Sequence, residues 1–299
     1  MDKGKQGRHM KKRYYDNYDY EEAYQKQIEN LEEWEYERLL KEGKVESLYR
    51  TTTTKSPNTK SGKVLLEAQI YPSFLNREDM PKTKKKRESK PSQTNLNHKN
   101  SKRYLIRLVN INFTEGDLWC TFGWDEEHFP ENEERARKDI QNFIKKINRR
   151  RKKAGKENIK YIYILAYCDY ERPHFHIIMT GEGMDRDELE QMWTKCRRKN
   201  TRRIQPDDDF LLTGIATYIS KNPHGSKRWC PSKNLEKPKK PTRSYSKFRK
   251  RQVEKMAKDF EELKANMEKA YEGYRFLDAE VKYNGVTAAF YIYARMIRD

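Results

Sequence analysis

One stretch of this chain repeats its apolar positions at helical spacing: Ile140, Phe143, Ile144 and Ile147. That i, i+3, i+4, i+7 stripe predicts an amphipathic helix over Glu133–Lys153. Gly155 is placed to end it, and its last turns, NRRRKK, set cations at the negative end of the helix dipole, where they could also face a nucleic acid. Other stretches are apolar without that period. IKYIYILAYC at 159–168 and PHFHIIMT at 173–180, separated by a short DYER turn, predict an antiparallel hairpin. LWCTFGW at 118–124 predicts a short strand, residues 63–71 another, and Thr201–Gln205 an edge strand. YLIRLVNINF at 104–113 is apolar enough for burial. Short helices are expected over Asp185–Cys196 and over Phe210–Lys221, the latter stopped by Asn222 and Pro223. A single, highly charged helix is expected over 247–272, followed by a hairpin of 274–283 and 286–297 about Asn284-Gly285.

Between these elements the pattern turns polar. Residues 1–16 read as disordered. Residues 18–44 read as a Glu-rich helix on which Tyr24, Ile28, Leu31 and Leu39 share a face that Glu35 interrupts, so it is a solvated helix or a docking or dimer helix. YRTTTTKSPNTKSG at 49–62 reads as a linker, and the basic run 81–103 as a tether or a phosphate-tracking segment. The chain therefore divides into a polar tail and helix at 1–48, a linker with a short strand and basic run at 49–100, a central domain at 101–240 and a charged helix with hairpin at 241–299. The fold class is α+β, with a central antiparallel sheet and helices.

Composition agrees with a compact domain carrying polar appendages. Only 34% of the 299 residues are apolar, too few for one well-buried core along the whole length. No run approaches the ~20 apolar residues that span a bilayer, and the basic N-terminus has no apolar stretch behind it, so neither a membrane span nor a secretory signal is expected. The four cysteines are far apart, which speaks against a disulfide scaffold or a cysteine-built zinc site and for a cytoplasmic location. No GxGxxG or GxxxxGK[ST] motif is present. Lys and Arg outnumber Asp and Glu by 65 to 46, a net charge of +19, and 20 tyrosines are mixed with the cations. Such a surface attracts polyanions through release of condensed counterions, and nucleic acid is the expected partner.

The chemistry concentrates in two places. His174 and His176 are spaced i, i+2 on the predicted strand, so both imidazoles point to one face while Phe175 and Ile177 point to the other. Two neighbouring imidazoles can hold one divalent cation, although ordinary strand histidines share the same pattern. Tyr218 and Lys221 stand one helical turn apart, which puts a phenol and an ammonium on one face. A helical tyrosine is often mere packing. Beside an ammonium and a metal-binding pair it can serve as a nucleophile.

RPHFHIIM, followed about forty residues later by YISK, resembles the HUH endonuclease superfamily. More closely, the chain resembles the rolling-circle replication initiators, or Rep proteins, of bacterial plasmids, phages and integrative elements. RLVNINFTEGDLWCTFGW resembles the segment around their first conserved strand, IATYISKN their tyrosine helix, and KRWCPSKNLEKP the following loop. The likeness covers about residues 100–240. It implies a sheet related to RNA-recognition-like palms, with helices on one face. It implies Mg²⁺ or Mn²⁺ held by His174 and His176, nicking by Tyr218 through a 5′-phosphotyrosine, and Lys221 orienting the phosphate or assisting the tyrosine. Members usually add a third polar ligand on the adjacent strand, but here the aligned positions read LAYC. With a turn centred on Tyr170–Glu171, Tyr167 would lie opposite His174 and Asp169 would share its face, so Asp169 is the candidate ligand and Glu171 the alternative. Two imidazoles favour manganese over magnesium.

Arg172, Lys227, Arg228, Lys233 and Lys237 are candidate DNA contacts, and Trp229, Tyr245 and Trp124 candidate stacking residues, the core being the stronger place for Trp124. The expected function is nicking and rejoining of single-stranded or hairpin origin DNA, with unwinding and synthesis left to host helicase and polymerase. A relaxase, a transposase or a non-catalytic nucleic-acid-binding module are the alternatives, and the oligomeric state is open.

Overall fold

The computed structural model describes residues 49–58, 60–72, 91–168, 171–220, 227–284 and 289–299. The expected tail at 1–16, the helix at 18–44, residues 81–90 of the basic run and Gly285 of the Asn-Gly turn lie outside the described residues. The architecture is α+β, with two five-stranded antiparallel sheets and helices. The described chain divides into two compact units: residues 49–55, 66–72 and 240–298 form one, and 56–65, 90–239 and 299 the other. No helix among the described residues is long and apolar enough to cross a membrane.

The first unit's sheet runs β8-β1-β2-β10-β9, built from β1 (Tyr49–Pro57), β2 (Val64–Pro72), β8 (Thr242–Ser244), β9 (Arg275–Asn284) and β10 (Ala289–Arg298). The tip of the β1–β2 hairpin counts with the second unit. Strand β1 corrects the linker reading of YRTTTT. Threonine is a good strand former through its β-branch, but a run of threonines has no apolar alternation to announce one. Pairing decides it: Thr51, Thr52 and Thr53 face Ser244, Arg243 and Thr242 of β8, a short strand inside what the sequence presents as a basic loop. The single helix expected over 247–272 is two, α5 (Lys250–Lys258) and α6 (Phe260–Ala270). Asp259 separates them, with extended backbone and a side chain that accepts from the amides of Glu261 and Glu262. It caps the second helix and thereby breaks the first.

The second unit's sheet runs β6-β3-β5-β4-β7, all neighbours antiparallel, from β3 (Leu118–Gly123), β4 (Tyr161–Cys168), β5 (Glu171–Met179), β6 (Asn200–Arg203) and β7 (Cys230–Pro231). Helix α2 (Glu133–Lys153) and helix α3 (Arg186–Met192) pack on one face over a core that includes Phe122, Trp124, Phe175 and Trp193. Helix α1 (Pro91–Asn112) and helix α4 (Thr213–Ile219) pack on the other, against Ile162, Ile164 and Ile178. Helices thus cover both faces rather than one. Strands β4 and β5 are apolar on both sides, as strands buried on both faces must be. Helix α1 corrects the tether reading of the basic run from residue 91 onward: its polar first half carries no stripe, and only Leu105, Leu108 and Val109 give the buried helical spacing.

Gly155 closes α2 with φ +68°, and a Cβ built there meets nothing within 4 Å. Gly155→Ala therefore costs backbone strain alone, about 1–2 kcal/mol, read as a lower urea midpoint with unchanged slope.

Candidate active site

The face of the second sheet that packs on α1 and α4 carries the candidate chemistry. Antiparallel register aligns Asn200, Thr121, His176 and Ile164 across four strands. One step toward the sheet end, His174 lies between Gly123 and Ala166, two small residues that leave room around its ring. One step the other way, Arg202, Trp119, Ile178 and Ile162 align. The hairpin register corrects the sequence expectation: Ala166, not Tyr167, faces His174, because the turn is centred one residue earlier and the register shifts between Ala166 and Cys168.

The imidazoles of His174 and His176 lie 5.2 Å apart, centroid to centroid, and nearly perpendicular at 85°. His174 Nδ1 is 2.9 Å from the carbonyl oxygen of Arg172. A carbonyl only accepts, so Nδ1 carries the proton and Nε2 keeps its lone pair. His176 Nδ1 is 2.9 Å from Thr121 Oγ1. Burial, and then the charge of His174, push the His176 pKa down to about 4. At neutral pH this ring is uncharged and able to donate a lone pair. These two nitrogens fit a divalent cation as a partial donor set. Among the described residues, no group of three His, Cys, Asp or Glu is placed to hold a metal. Asp169 lies outside the described residues; Glu171 pairs with Cys168 through the backbone of the hairpin.

The depressed His176 pKa gives a pH dependence. An unfolded histidine titrates near 6.5, so the unfolded chain binds the extra proton first as pH falls. Stability is expected to be intact above about pH 6.5 and to drop toward pH 4, by under about 2 kcal/mol once residual solvent contact is allowed for. Urea midpoints against pH in chelator, compared with His176→Gln, which removes this slope, measure it.

Tyr218 joins the pair from α4. Its ring centroid is 5.8 Å from His176 and 5.7 Å from Trp119, edge-on to both. The buried side of α4 is Thr213, Ala216 and Ile219, which leaves Tyr218 53% exposed, an unusual place for a large ring with no role. The start of α4 is tied to the end of α1. Asn110, fully buried, accepts from the Leu212 amide at 2.9 Å and donates to Thr213 Oγ1 at 3.2 Å. Leu211, just before, holds φ +52°. Asn58 in turn donates to the carbonyls of Asn110 and Phe113 at 2.7 and 2.8 Å. Asn112 exchanges hydrogen bonds with the backbone of Glu236, fixing the loop after β7. Lys221 lies outside the described residues.

The other candidates are dispersed. Arg172 pairs with Glu126 at 3.0 Å, both well exposed. Arg228 donates to the Asn97 carbonyl at 3.2 Å. Trp229 stacks on Tyr104, 5.8 Å apart and 19° from parallel, and is half-buried. Lys227, Lys233 and Lys237 are exposed. Trp124 is buried, with its indole donating to Asp139 at 3.2 Å, so it belongs to the core and not to a stacking surface. Tyr245 is half-buried in the first unit and hydrogen-bonds Arg50. Sequence reasoning missed Thr121, Trp119 and Asn110. The first two need the cross-strand register to be found. For Asn110 the only signal was an amide inside an apolar run.

No curated protein and no solved structure matches this chain. Residues 117–223, from the turn before β3 to just beyond α4, match the family model of the ORF2-type replication-associated proteins, and this match, which contains both histidines and Tyr218, supports the role of a replication initiator.

Proposed function

We propose that this chain is a rolling-circle replication initiator that nicks and rejoins single-stranded DNA with Tyr218 as nucleophile. The observation that carries this reading is the convergence of His174, His176 and the exposed Tyr218 on one sheet face, inside the span matched by the replication family.

A phosphodiester resists attack because its charge repels nucleophiles and its alkoxide leaves poorly. A divalent cation, Mg²⁺ or Mn²⁺, held by His174 and His176 would withdraw charge from the non-bridging oxygens. Thr121 and the Arg172 carbonyl hold the Nδ1 atoms, so each Nε2 is oriented by a second contact. Trp119 and His176 flank the phenol edge-on and limit its swing. The phenol loses its proton to solvent, and its oxygen forms a bond to phosphorus. The bond from phosphorus to the 3′ oxygen breaks, and that oxygen takes a proton and leaves as an alcohol. The phosphotyrosine ester retains the bond energy, so a 3′-hydroxyl can reverse the step and reseal the strand.

The test is a set of single-stranded oligonucleotides tiled across the DNA that flanks the gene, incubated with Mn²⁺ or Mg²⁺. A protein–DNA adduct that survives boiling in detergent is expected on one tile and its neighbours. Binding on every tile with no adduct in either metal would instead leave a nucleic-acid-binding module without this chemistry.

A further inference from the structure

Away from the histidine face, the first unit gathers three cations on two tyrosine rings. Lys247 Nζ lies 4.1 Å from the centroid of the Tyr271 ring. Lys55 Nζ lies 5.4 Å, and Arg298 Cζ 5.2 Å, from that of Tyr274. Lys55 comes from β1, Arg298 from the end of β10, Lys247 from the approach to α5 and the tyrosines from the exit of α6. Folding therefore assembles this cluster from residues far apart in sequence, unlike a solvated run of lysines.

Its electrostatics are unbalanced. None of the three cations pairs with a carboxylate among the described residues; Asp299, next in sequence to Arg298, pairs with Lys63. Lys247 is half-buried and donates to the Ala270 carbonyl at 3.1 Å. Burial, and then the charge of Lys55, push its pKa down. The Tyr271 hydroxyl is engaged by Thr53 Oγ1 at 2.6 Å. The Tyr274 hydroxyl is buried with no hydrogen-bond partner, on a residue only 6% exposed. Cation–ring contacts of this kind serve packing alone in many proteins. Drawing ammonium groups together without an acid, beside an unpartnered phenol, is a cost that packing does not require and that a bound anion removes.

We propose that Lys55, Lys247 and Arg298 form a phosphate-contacting site for the backbone of duplex DNA. The choice of DNA as the polyanion rests on the proposed function. The choice of duplex rests on the rings. Single-strand sites stack bases on exposed aromatics, whereas Tyr271 and Tyr274 are 7% and 6% exposed and already covered by cations. What the site offers is charge, which suits a backbone whose bases are paired. It gives the first unit a task separate from the nicking face: holding double-stranded DNA without reading its sequence.

The experiment measures binding of the full chain to a random-sequence duplex in chelator, over a range of salt concentrations. Lys55→Gln with Arg298→Gln is compared with the wild type and with the charge-keeping pair Lys55→Arg and Arg298→Lys. Lys247 is left intact because it also caps a helix carbonyl. The double Gln variant is expected to bind duplex about tenfold more weakly, with a salt slope shallower by about 2, close to one unit per lost phosphate contact. The charge-keeping pair keeps the slope. Thermal midpoint and adduct formation on a short single-stranded substrate stay unchanged. An unchanged duplex affinity and slope would overturn the proposal, as would a loss confined to anionic vesicles. Absence of the adduct in wild type would remove the nicking reading and leave the duplex comparison standing.

Discussion

Tyr218→Phe is expected to abolish the covalent protein–DNA adduct, a loss of at least about 1,000-fold in nicking rate, while single-stranded DNA binding stays within about threefold and the thermal midpoint does not move. The separation follows from what the side chain touches. Its ring meets His176 and Trp119 edge-on, and phenylalanine keeps both contacts. Its hydroxyl makes no hydrogen bond among the described residues, so removing it leaves no donor or acceptor stranded. The ring is 53% exposed, so little burial is at stake. The single thing lost is the oxygen that would attack phosphorus. Single-turnover cleavage of a labelled oligonucleotide, resolved on a denaturing gel, measures the loss. A variant that still cleaves at the wild-type rate would assign the attack to another group or to water, and an adduct still formed would place the linkage elsewhere.

The elements most legible in the sequence are those whose burial is periodic and local. The stripe of Ile140, Phe143, Ile144 and Ile147 gives α2 its observed limits, and the two apolar runs around DYER give the β4–β5 hairpin. Elements specified by distant partners were not legible. Strand β1 is a row of threonines whose edges are satisfied by β2 and by a three-residue strand nearly two hundred positions later. Helix α1 has a polar half that only its buried end recruits into regular structure. At the site, the i, i+2 histidines sharing a face follow from strand geometry, and Tyr218 from its helix. The partners that orient them do not. Thr121 meets His176 through cross-strand register, and the hairpin turn sits one residue from where spacing places it, which exchanges Tyr167 for Ala166 opposite His174. Asn110 meets α4 across 102 positions.

Asn110 supplies the other large expected effect. Asn110→Ala removes an acceptor from the Leu212 amide and a donor to the Thr213 hydroxyl, both buried. Leaving those groups unpaired costs about 2–3 kcal/mol. Activity should suffer beyond that. Leu212 is the first residue of the α4 cap and has no side-chain cap of its own, and Leu211 before it is held at φ +52°, a region that costs a β-carbon-bearing residue about 1–2 kcal/mol. The amide of Asn110 is what opposes relaxation there. Without it, this seven-residue helix can shift along its axis, and Tyr218 shifts with it relative to His176. A displacement near 1 Å at a reacting group costs on the order of 100-fold. Asn110→Ala is therefore expected to lower the adduct-forming rate about 100-fold at saturating DNA, with single-strand affinity nearly unchanged, because the exposed cations of this unit are untouched. Thr213→Val, which deletes only the weaker of the two bonds, should lose about 1 kcal/mol and much less rate. If Asn110→Ala lowers the thermal midpoint but leaves the saturated rate at the wild-type value under conditions where it is folded, the amide serves the fold alone and the nucleophile is positioned by the buried face of α4.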